Sequence, residues 1–167
     1  TNPGVGAELI INGDFSSDSD WTKGNGWSIA NGVASLTNAN GSLAKTDGLL
    51  EVGKTYLLSF EITSITQGSF APKTNAGQAI FSSVTLNTVG VHTAYFTVTS
   101  GVNLQMRASG TTTGSIDNVS VHEVNGNTGT ISGATLVDGN SPKQIYALPP
   151  VANTKSLNFD GTNDHLV

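Results

Sequence analysis

Apolar and polar residues alternate over short stretches of this chain, and that period of two limits the folds it can adopt. The pattern is clearest in TYLLSFEI, residues 55–62, where the larger apolar side chains share one face: Tyr56, Leu58, Phe60 and Ile62. It recurs in HTAYFTVT, residues 92–99, and in VNLQMRAS, residues 102–109. Because successive side chains of a strand point to opposite faces, each segment predicts a strand that is buried on one side.

Turn signals separate these segments. Asn31-Gly32 suits a type I′ hairpin turn, and Ser100-Gly101 predicts that residues 92–99 and 102–109 pair as a hairpin. Charged residues make up only 11% of the chain and Gly counts 20, a composition that leaves little from which to build helices. Turn signals at intervals of about 8–12 residues predict an all-β fold, an antiparallel β-sandwich or jelly roll.

Charge and composition exclude several classes of partner. The net charge is -5, and the seven Lys and Arg residues are spread singly, so the sequence predicts binding neither to nucleic acid nor to anionic membranes. No apolar run approaches the roughly 20 residues that a membrane-spanning helix needs, so membrane insertion is not expected. The chain has no Cys, which excludes disulfides and thiolate chemistry.

The chain divides by composition into four parts. Residues 1–7 are predicted to be an N-terminal linker, and residues 8–124 a β-sandwich. Residues 125–155, rich in Gly, Asn and Pro, predict an extended linker. Residues 156–167 are typical of a first strand that is cut off, and the chain does not begin with Met. We therefore expect a piece of a longer protein.

One strand changes phase in its middle. In SIDNVSVHEV, residues 115–124, strict alternation would place Ile116 on the face opposite to Val119 and Val121. The change falls at Asp117 and Asn118. An extra residue at this point, a β-bulge, would let both halves of the strand bury their apolar residues on one side.

Three segments in their order resemble carbohydrate-binding modules of the CBM4/9 type, which have the galactose-binding-like jelly-roll fold. They are residues 8–36, 48–62 and 114–124. Versions with a second Trp six residues after the first, as Trp21 and Trp27 stand here, resemble modules of phage tail and virion proteins and of bacterial surface proteins. The segment SLNFDGTNDHLV at the end is similar to the first strand of a laminin-G or concanavalin-like lectin domain.

The resemblance implies non-catalytic glycan binding on the surface of a phage virion or tail, outside the cell, where the module would help to attach the particle to host polysaccharide. Other virion proteins would be its neighbours. Shallow sugar sites bind weakly, so several copies, as in a homo-oligomer, would supply avidity. Two alternatives stay open: a structural decoration or spacer domain that binds protein, and an appended module of a secreted bacterial polysaccharide-degrading enzyme.

Five residues are candidates for sugar contact, because a sugar ring stacks on an aromatic face while polar neighbours bind its hydroxyls. Trp21 lies in the polar loop DSDWTKGNG, either pinned beneath the loop or exposed for a ligand. Tyr95 and Arg107 point outward from the two predicted hairpin strands, and Gln105 and Asn103 would extend them into a platform. The alternative is a solvated sheet face with a cross-strand pair.

The resemblance also implies a structural calcium that ties the first strand to the last. Matching positions give Asn12, Asp14 and Asp117 as ligands, but Ser16 stands where the family commonly has an acid. The alternative is a turn at residues 12–14 and a bulge side chain, both satisfied by backbone amides.

No catalytic pattern is present. Glycoside hydrolysis needs two carboxyls facing one cleft, whereas Glu61 and Glu123 are predicted to be isolated on the surface. His122, in HEVNG, lacks the second His of a zinc-protease motif, and the chain has no Gly-x-Ser-x-Gly sequence. The segment is therefore not expected to be an enzyme.

Overall fold

The structure, a computed structural model, describes residues 4–82 and 84–125. This part of the chain contains strands and no helix. The strands are β1 (Val5–Glu8), β2 (Thr22–Lys23), β3 (Trp27–Ala30), β4 (Val33–Ala39), β5 (Ser42–Ala44), β6 (Thr55–Phe70), β7 (Lys73–Thr74), β8 (Gly90–Thr97) and β9 (Leu104–Val124).

The strands form two sheets that share β9, and all of their pairings are antiparallel. In the sheet here called the major sheet, β9 pairs with β6 along one edge and with β4 and β1 along the other, while β3 and β8 are outermost. In the minor sheet, the first residues of β9 pair with β5 and β7, and β2 pairs with β5. β9 is 21 residues long, which lets it run from one sheet into the other.

The core lies between the inner faces of the two sheets. The major sheet buries alternate residues of β6, as the sequence pattern predicted: Tyr56, Leu58, Phe60 and Ile62. The minor sheet contributes Leu43, Leu104 and Met106, which are fully buried. All of these residues belong to one apolar cluster. Burial of a large apolar side chain contributes about 1.5–3 kcal/mol, so this shared core is what joins the sheets.

The phase change in β9 is a β-bulge, as predicted. Ser59 pairs with Ser120 and Glu61 with Asp117, so β9 has one more residue than β6 between these pairs. Asn118 takes up the extra length in the left-handed region, with φ of 52°, which Asn tolerates better than most residues. Both halves of β9 therefore bury their apolar residues on the core side: Ile116, Val119 and Val121.

The predicted hairpin between residues 92–99 and 102–109 is wrong. β8 pairs with β6 over its whole length, from Thr55 opposite Thr97 to Ile62 opposite Gly90. The first residues of β9 pair with β5 and β7 instead. The turn at Ser100-Gly101 thus connects the two sheets, and the strands on either side of it separate.

The all-β, antiparallel jelly-roll sandwich predicted from the sequence is confirmed by these pairings. β1 begins at Val5 and pairs with β9, so the sandwich starts inside the segment 1–7 that was predicted to be a linker. The predicted linker, beyond Asn125, and the lectin-like strand 156–167 lie outside the described residues. None of the described segments is a helix with the length and apolar character needed to cross a membrane.

Candidate functional site

Four polar side chains stand on the outer face of the minor sheet and are here called the minor-sheet platform: Ser42, Lys73, Gln105 and Arg107. Register places Ser42 opposite Arg107 and Lys73 opposite Gln105. Their neighbours Leu43, Thr74, Leu104 and Met106 are fully buried, so alternation turns the platform side chains to solvent. Neighbouring strands lie about 4.8 Å apart, which puts the four side chains within reach of one ligand.

The platform side chains have no polar partners among the described residues. Within the part of the chain that the structure describes, none of their polar side-chain atoms makes a hydrogen bond or an ion pair. Arg107 is exposed, and Lys73 and Gln105 are half-buried. Small residues lie beside them: Ala44 is opposite Gln105, and the Ala71 N–H donates to the Arg107 carbonyl at 2.6 Å. The face therefore offers polar groups that have no partner among the described residues.

The outer face of the major sheet is different, because its charged side chains and several of its hydroxyls already have hydrogen-bond partners. The Asn118 side chain donates to Glu61 at 3.1 Å, and the hydroxyls of Thr55 and Thr97 are 2.9 Å apart. The Ser115 hydroxyl lies within hydrogen-bond distance of Thr63 as well as of Ser64. A ligand on this face would have to displace bonds that already exist.

Tyr95 lies on the major sheet and not on the platform. Tyr95 is on β8, opposite Leu57 of β6, and is 62% exposed. The prediction that Tyr95 and Arg107 stand side by side is therefore wrong, because the hairpin that would bring them together does not form. Asn103 lies one residue before β9 begins, and its Oδ1 accepts a hydrogen bond from Gly48 N–H at 3.0 Å. Of the five predicted residues, the structure brings together Asn103, Gln105 and Arg107.

Trp21 is the anchor of its loop. Its side chain is only 7% exposed, its Nε1–H donates to the Asn12 carbonyl at 2.9 Å, and its ring lies 5.4 Å from that of Phe15. The structure thus supports the pinned alternative, and sugar contact by Trp21 stays a prediction that the burial of its ring does not favour. A ring held in this way has no free face on which a sugar could stack.

A buried cation accompanies Trp21. The Lys45 side chain is 2% exposed, and its Nζ lies 5.4 Å from the centre of the Trp21 ring, 3.4 Å from the Ile11 carbonyl and 3.6 Å from an Asp47 carboxylate oxygen. These partners replace part of the water that a buried ammonium loses. Nothing in the local sequence distinguishes Lys45 from an exposed lysine, so sequence reasoning missed it.

Each of the predicted calcium ligands takes part in local hydrogen bonds. The Asn12 amide donates to the carbonyls of Ser17 and Ser19, at 2.8 and 2.9 Å, and so organises the loop. Asp14 accepts from the Ser16 N–H at 3.3 Å, and Asp117 accepts from the Asn118 N–H at 2.6 Å. Hydrogen bonds to the backbone are what we expected from the alternative to calcium binding, a turn at residues 12–14 and a bulge side chain.

A cleft of about 370 Å³ lies between residues 12–14 and residues 118–120 of β9. Asn12, Asp14 and Asn118 line it together with Glu8, whereas Asp117 stands opposite Glu61 on the major sheet. Among the described residues, no three Asp, Glu, His or Cys side chains cluster as metal ligands would. Calcium binding by Asn12, Asp14 and Asp117 stays a prediction, with Asp117 outside the cleft that the other two line.

Glu8 ties the first strand to the last. Its carboxylate accepts hydrogen bonds from the Ser120 hydroxyl and from the Val121 N–H, and lies 3.2 Å from His122 Nε2. Burial acts to raise the pKa of Glu8, but the bonds from Ser120 and from the Ile10 and Val121 amides, together with His122, outweigh it and lower the pKa below its ordinary value of 4.5. We call Glu8, Ser120 and His122 the Glu8 clasp. Sequence reasoning had passed over Glu8.

The Glu8 clasp predicts an acid-dependent part of the stability. A lowered pKa in the folded state means that the contribution is complete above the unfolded pKa and is lost as pH falls through the folded pKa. Glu8→Gln should lower Tm by about 3 °C at pH 7, on the order of 1 kcal/mol for a partly exposed group, and the difference should shrink below pH 4. Thermal melts from pH 7 to pH 3, with Glu51→Gln as control, test this; a deficit that stays constant with pH would contradict it.

The acids of the major sheet are less isolated than predicted. Glu61 stands opposite Asp117, and Glu123 makes an ion pair with Lys54 at 3.2 Å. Glu61 also accepts the bond from Asn118 and lies on the outer face of the sheet, away from the cleft lined by Asp14. These contacts hold strands together and do not place two carboxyls across a shared cleft.

These features define the class of protein. It is an all-β antiparallel sandwich in which the polar side chains of the minor-sheet platform have no partners among the described residues. No protein-family model matches the chain. No curated protein matches it either.

Several solved structures are similar. One, described as "CBM4 structure and function", is 19% identical, covering 68% of this chain and 99% of that chain, with a TM-score of 0.48. The CBM22-1 xylan-binding domain of Paenibacillus barcinonensis Xyn10C is 12% identical over 72% of this chain and 97% of that chain, with a TM-score of 0.47. The enzymatically active domain of tailspike protein 4 of bacteriophage CBA120 is 21% identical over 70% of this chain and 21% of that chain, with a TM-score of 0.39.

Modules of the CBM4 type, which the sequence resembles, are thus among the solved structures similar to this chain. At these identities and TM-scores the likenesses carry no argument about what the chain binds. The fold is assigned from the strand pairing, and function must be inferred from the side chains.

Proposed function

We propose that this chain is a non-catalytic glycan-binding module and that the minor-sheet platform is its binding face. The observation that carries the proposal is the contrast between the two outer faces. Charged side chains on the outer face of the major sheet have partners, as Glu61 has in Asn118, whereas Gln105, Arg107 and Lys73 have no partner among the described residues. Free donors and acceptors are what a sugar hydroxyl needs.

The platform suits weak binding along a chain of sugars. Two rows of side chains cross the minor sheet, one through Gln105 and one through Arg107, and residues two apart on a strand are about 7 Å from each other. No aromatic ring takes part in either row, since Tyr95 is on the other sheet. Each site should therefore be weak, and several copies of the chain would supply avidity.

The surroundings that fit such a module are extracellular. We propose a place on the surface of a phage virion or tail, next to other virion proteins, where binding to surface polysaccharide aids attachment to the host. Support comes from the sequence resemblance, in which Trp21 and Trp27 stand six residues apart, and from the need for many copies. In an appended module of a polysaccharide-degrading enzyme the same platform would serve; the flanking sequence distinguishes the two settings.

A second candidate function is a spacer or decoration domain that binds protein. The edge of β8 favours it: β8 pairs with β6 alone among the described strands, and Val91 and Tyr95 are 67% and 62% exposed. An uncharged edge strand with exposed apolar side chains can accept a strand from another protein. The platform and this edge lie on different sheets, so variants can separate the two functions.

Binding of the full chain to immobilised polysaccharides tests the proposed function. The chain should be displayed in many copies, because single sites are expected to be weak. We expect retention on at least one polysaccharide, and clear loss of retention when Gln105→Ala and Arg107→Ala are combined. Arg107 is exposed, and the half-buried Gln105 makes no side-chain bond to a described residue, so the variant should keep a Tm close to that of the parent. Absence of binding to every polysaccharide, even in multivalent form, would overturn the glycan-binding proposal and leave the protein-binding one.

We further propose that the sandwich needs no calcium, because the Glu8 clasp already ties β1 to β9 and the predicted ligands are satisfied by backbone bonds. The expected result is a Tm unchanged, to within about 1 °C, by excess chelator or by added Ca²⁺. A ligand bound only to the folded state must raise Tm by mass action. A fall of several degrees in chelator, reversed by Ca²⁺ and absent from Asp14→Asn, would show a calcium site.

A further inference from the structure

We propose that the minor-sheet platform selects acidic glycans, those carrying carboxylate groups such as uronic acids. This inference rests on the proposed function and names its substrate class. It follows from which Lys and Arg side chains, among the described residues, have an acidic partner and which do not.

Three of the described cations already have acidic partners. Lys23 pairs with Asp18, and Lys45 is buried beside Asp47. Lys54 bonds Glu51 at 2.9 Å and Glu123 at 3.2 Å. The other two, Lys73 and Arg107, have no acidic partner among the residues that the structure describes, and both belong to the platform.

Register brings the two unpaired cations close together. Lys73 is opposite Gln105, and Arg107 follows Gln105 by two residues on the same face, so Lys73 and Arg107 are diagonal neighbours roughly 7–8 Å apart. Their register partners in the minor sheet are uncharged: Ser42 is opposite Arg107, and Gln105 is opposite Lys73.

The paired residues of the minor sheet include no Asp or Glu. Glu8 and Asp117 stand on the major sheet, as does Glu61. Asp18 and Asp47 lie near the minor sheet but are paired with Lys23 and Lys45. The chain has a net charge of -5, so its overall charge does not attract a polyanion. A polyanion must therefore be bound locally, by Lys73 and Arg107.

The side chains match a carboxylate that belongs to a sugar. A guanidinium presents parallel N–H donors that fit the two oxygens of a carboxylate, and an ammonium adds a second positive charge nearby. Gln105, between them, can both donate to and accept from a neighbouring hydroxyl. A neutral sugar would leave the two charges unused, which is the basis of the selectivity.

A matched pair of ligands tests the inference. The full chain should bind an oligomer of glucuronic acid at least about tenfold more tightly than the same oligomer after its carboxyls have been reduced to alcohols. The preference should fall several-fold between 0.05 and 0.5 M NaCl, because exposed charges are screened. Arg107→Gln and Lys73→Gln should each reduce the preference. Lys54→Gln, which removes a cation that is paired elsewhere, should leave it unchanged.

The outcomes separate the inference from the proposed function. Equal binding of the acidic and reduced oligomers, or binding of neutral glycans alone, would overturn the acidic preference while glycan binding stood. An acidic preference that survives both platform variants would overturn the assignment to Lys73 and Arg107. Failure to bind any glycan in multivalent form would overturn the proposed function, and this inference with it.

Discussion

Replacement of Trp21 by alanine is expected to lower the free energy of unfolding by about 3–5 kcal/mol, the range for removal of a large buried aromatic side chain. The change removes the contact with Phe15 and the hydrogen bond to the Asn12 carbonyl, and it leaves the buried Lys45 ammonium without the ring beside it. Since domains of this size are stable by about 5–15 kcal/mol, a large share of the stability would be lost. Chemical denaturation measures the change.

Trp21→Phe is the matched control. It keeps an aromatic ring in the loop and loses the bond to Asn12, so it should cost distinctly less than the alanine variant. If Trp21→Ala left the stability unchanged, the ring would not be the anchor of its loop. The same reasoning makes Trp21→Ala unsuitable for testing glycan binding, because a loss of binding would reflect unfolding.

Gly13→Ala is expected to be comparably severe, on the order of 3 kcal/mol or more. A Cβ at Gly13 would lie 1.9 Å from the Val119 carbonyl oxygen and 3.0 Å from Ile10 Cγ2. The backbone here also bonds, since the Gly13 carbonyl accepts from the Val119 N–H at 2.9 Å. Because the clash is with backbone, the turn must move away from β9, and the bond is lost with it.

Gly6→Ala provides the comparison for Gly13→Ala. A Cβ at Gly6 would meet the Asn125 side chain at 3.0 Å and the Glu123 carbonyl oxygen at 3.2 Å, and the Asn125 side chain can move aside. The Gly6 variant should therefore lose about 1 kcal/mol or less. Equal denaturation midpoints for Gly13→Ala and the parent chain would contradict the close approach of the turn to β9.

The strands and their buried faces could be predicted because alternation is a local property of the sequence. The period of two in residues 55–62 identified the core side of β6, and the phase change at Asp117 and Asn118 identified the bulge in β9. Neither prediction requires knowing which strand lies beside which. Burial of apolar residues on one face decides both.

The binding platform could be predicted only in part, because it depends on which strands pair. Gln105 and Arg107 were found from the outward phase of their strand, whereas Tyr95 was joined to them by a short turn that connects two sheets. Lys73 is in a strand of two residues, too short to show any period, so it was missed. Glu8 was missed because its partners are more than 100 residues away.

Titration measures most directly where a glycan binds. An oligosaccharide that the parent chain binds is titrated into two variants of the full chain. The combined Gln105→Ala and Arg107→Ala variant should bind about tenfold or more weakly than the parent, since each lost hydrogen-bonding group costs about 0.5–1.5 kcal/mol. Tyr95→Ala, an exposed change on the other sheet, should bind as the parent does. Parental affinity in the double variant, with loss of binding in Tyr95→Ala, would contradict the minor-sheet platform as the site.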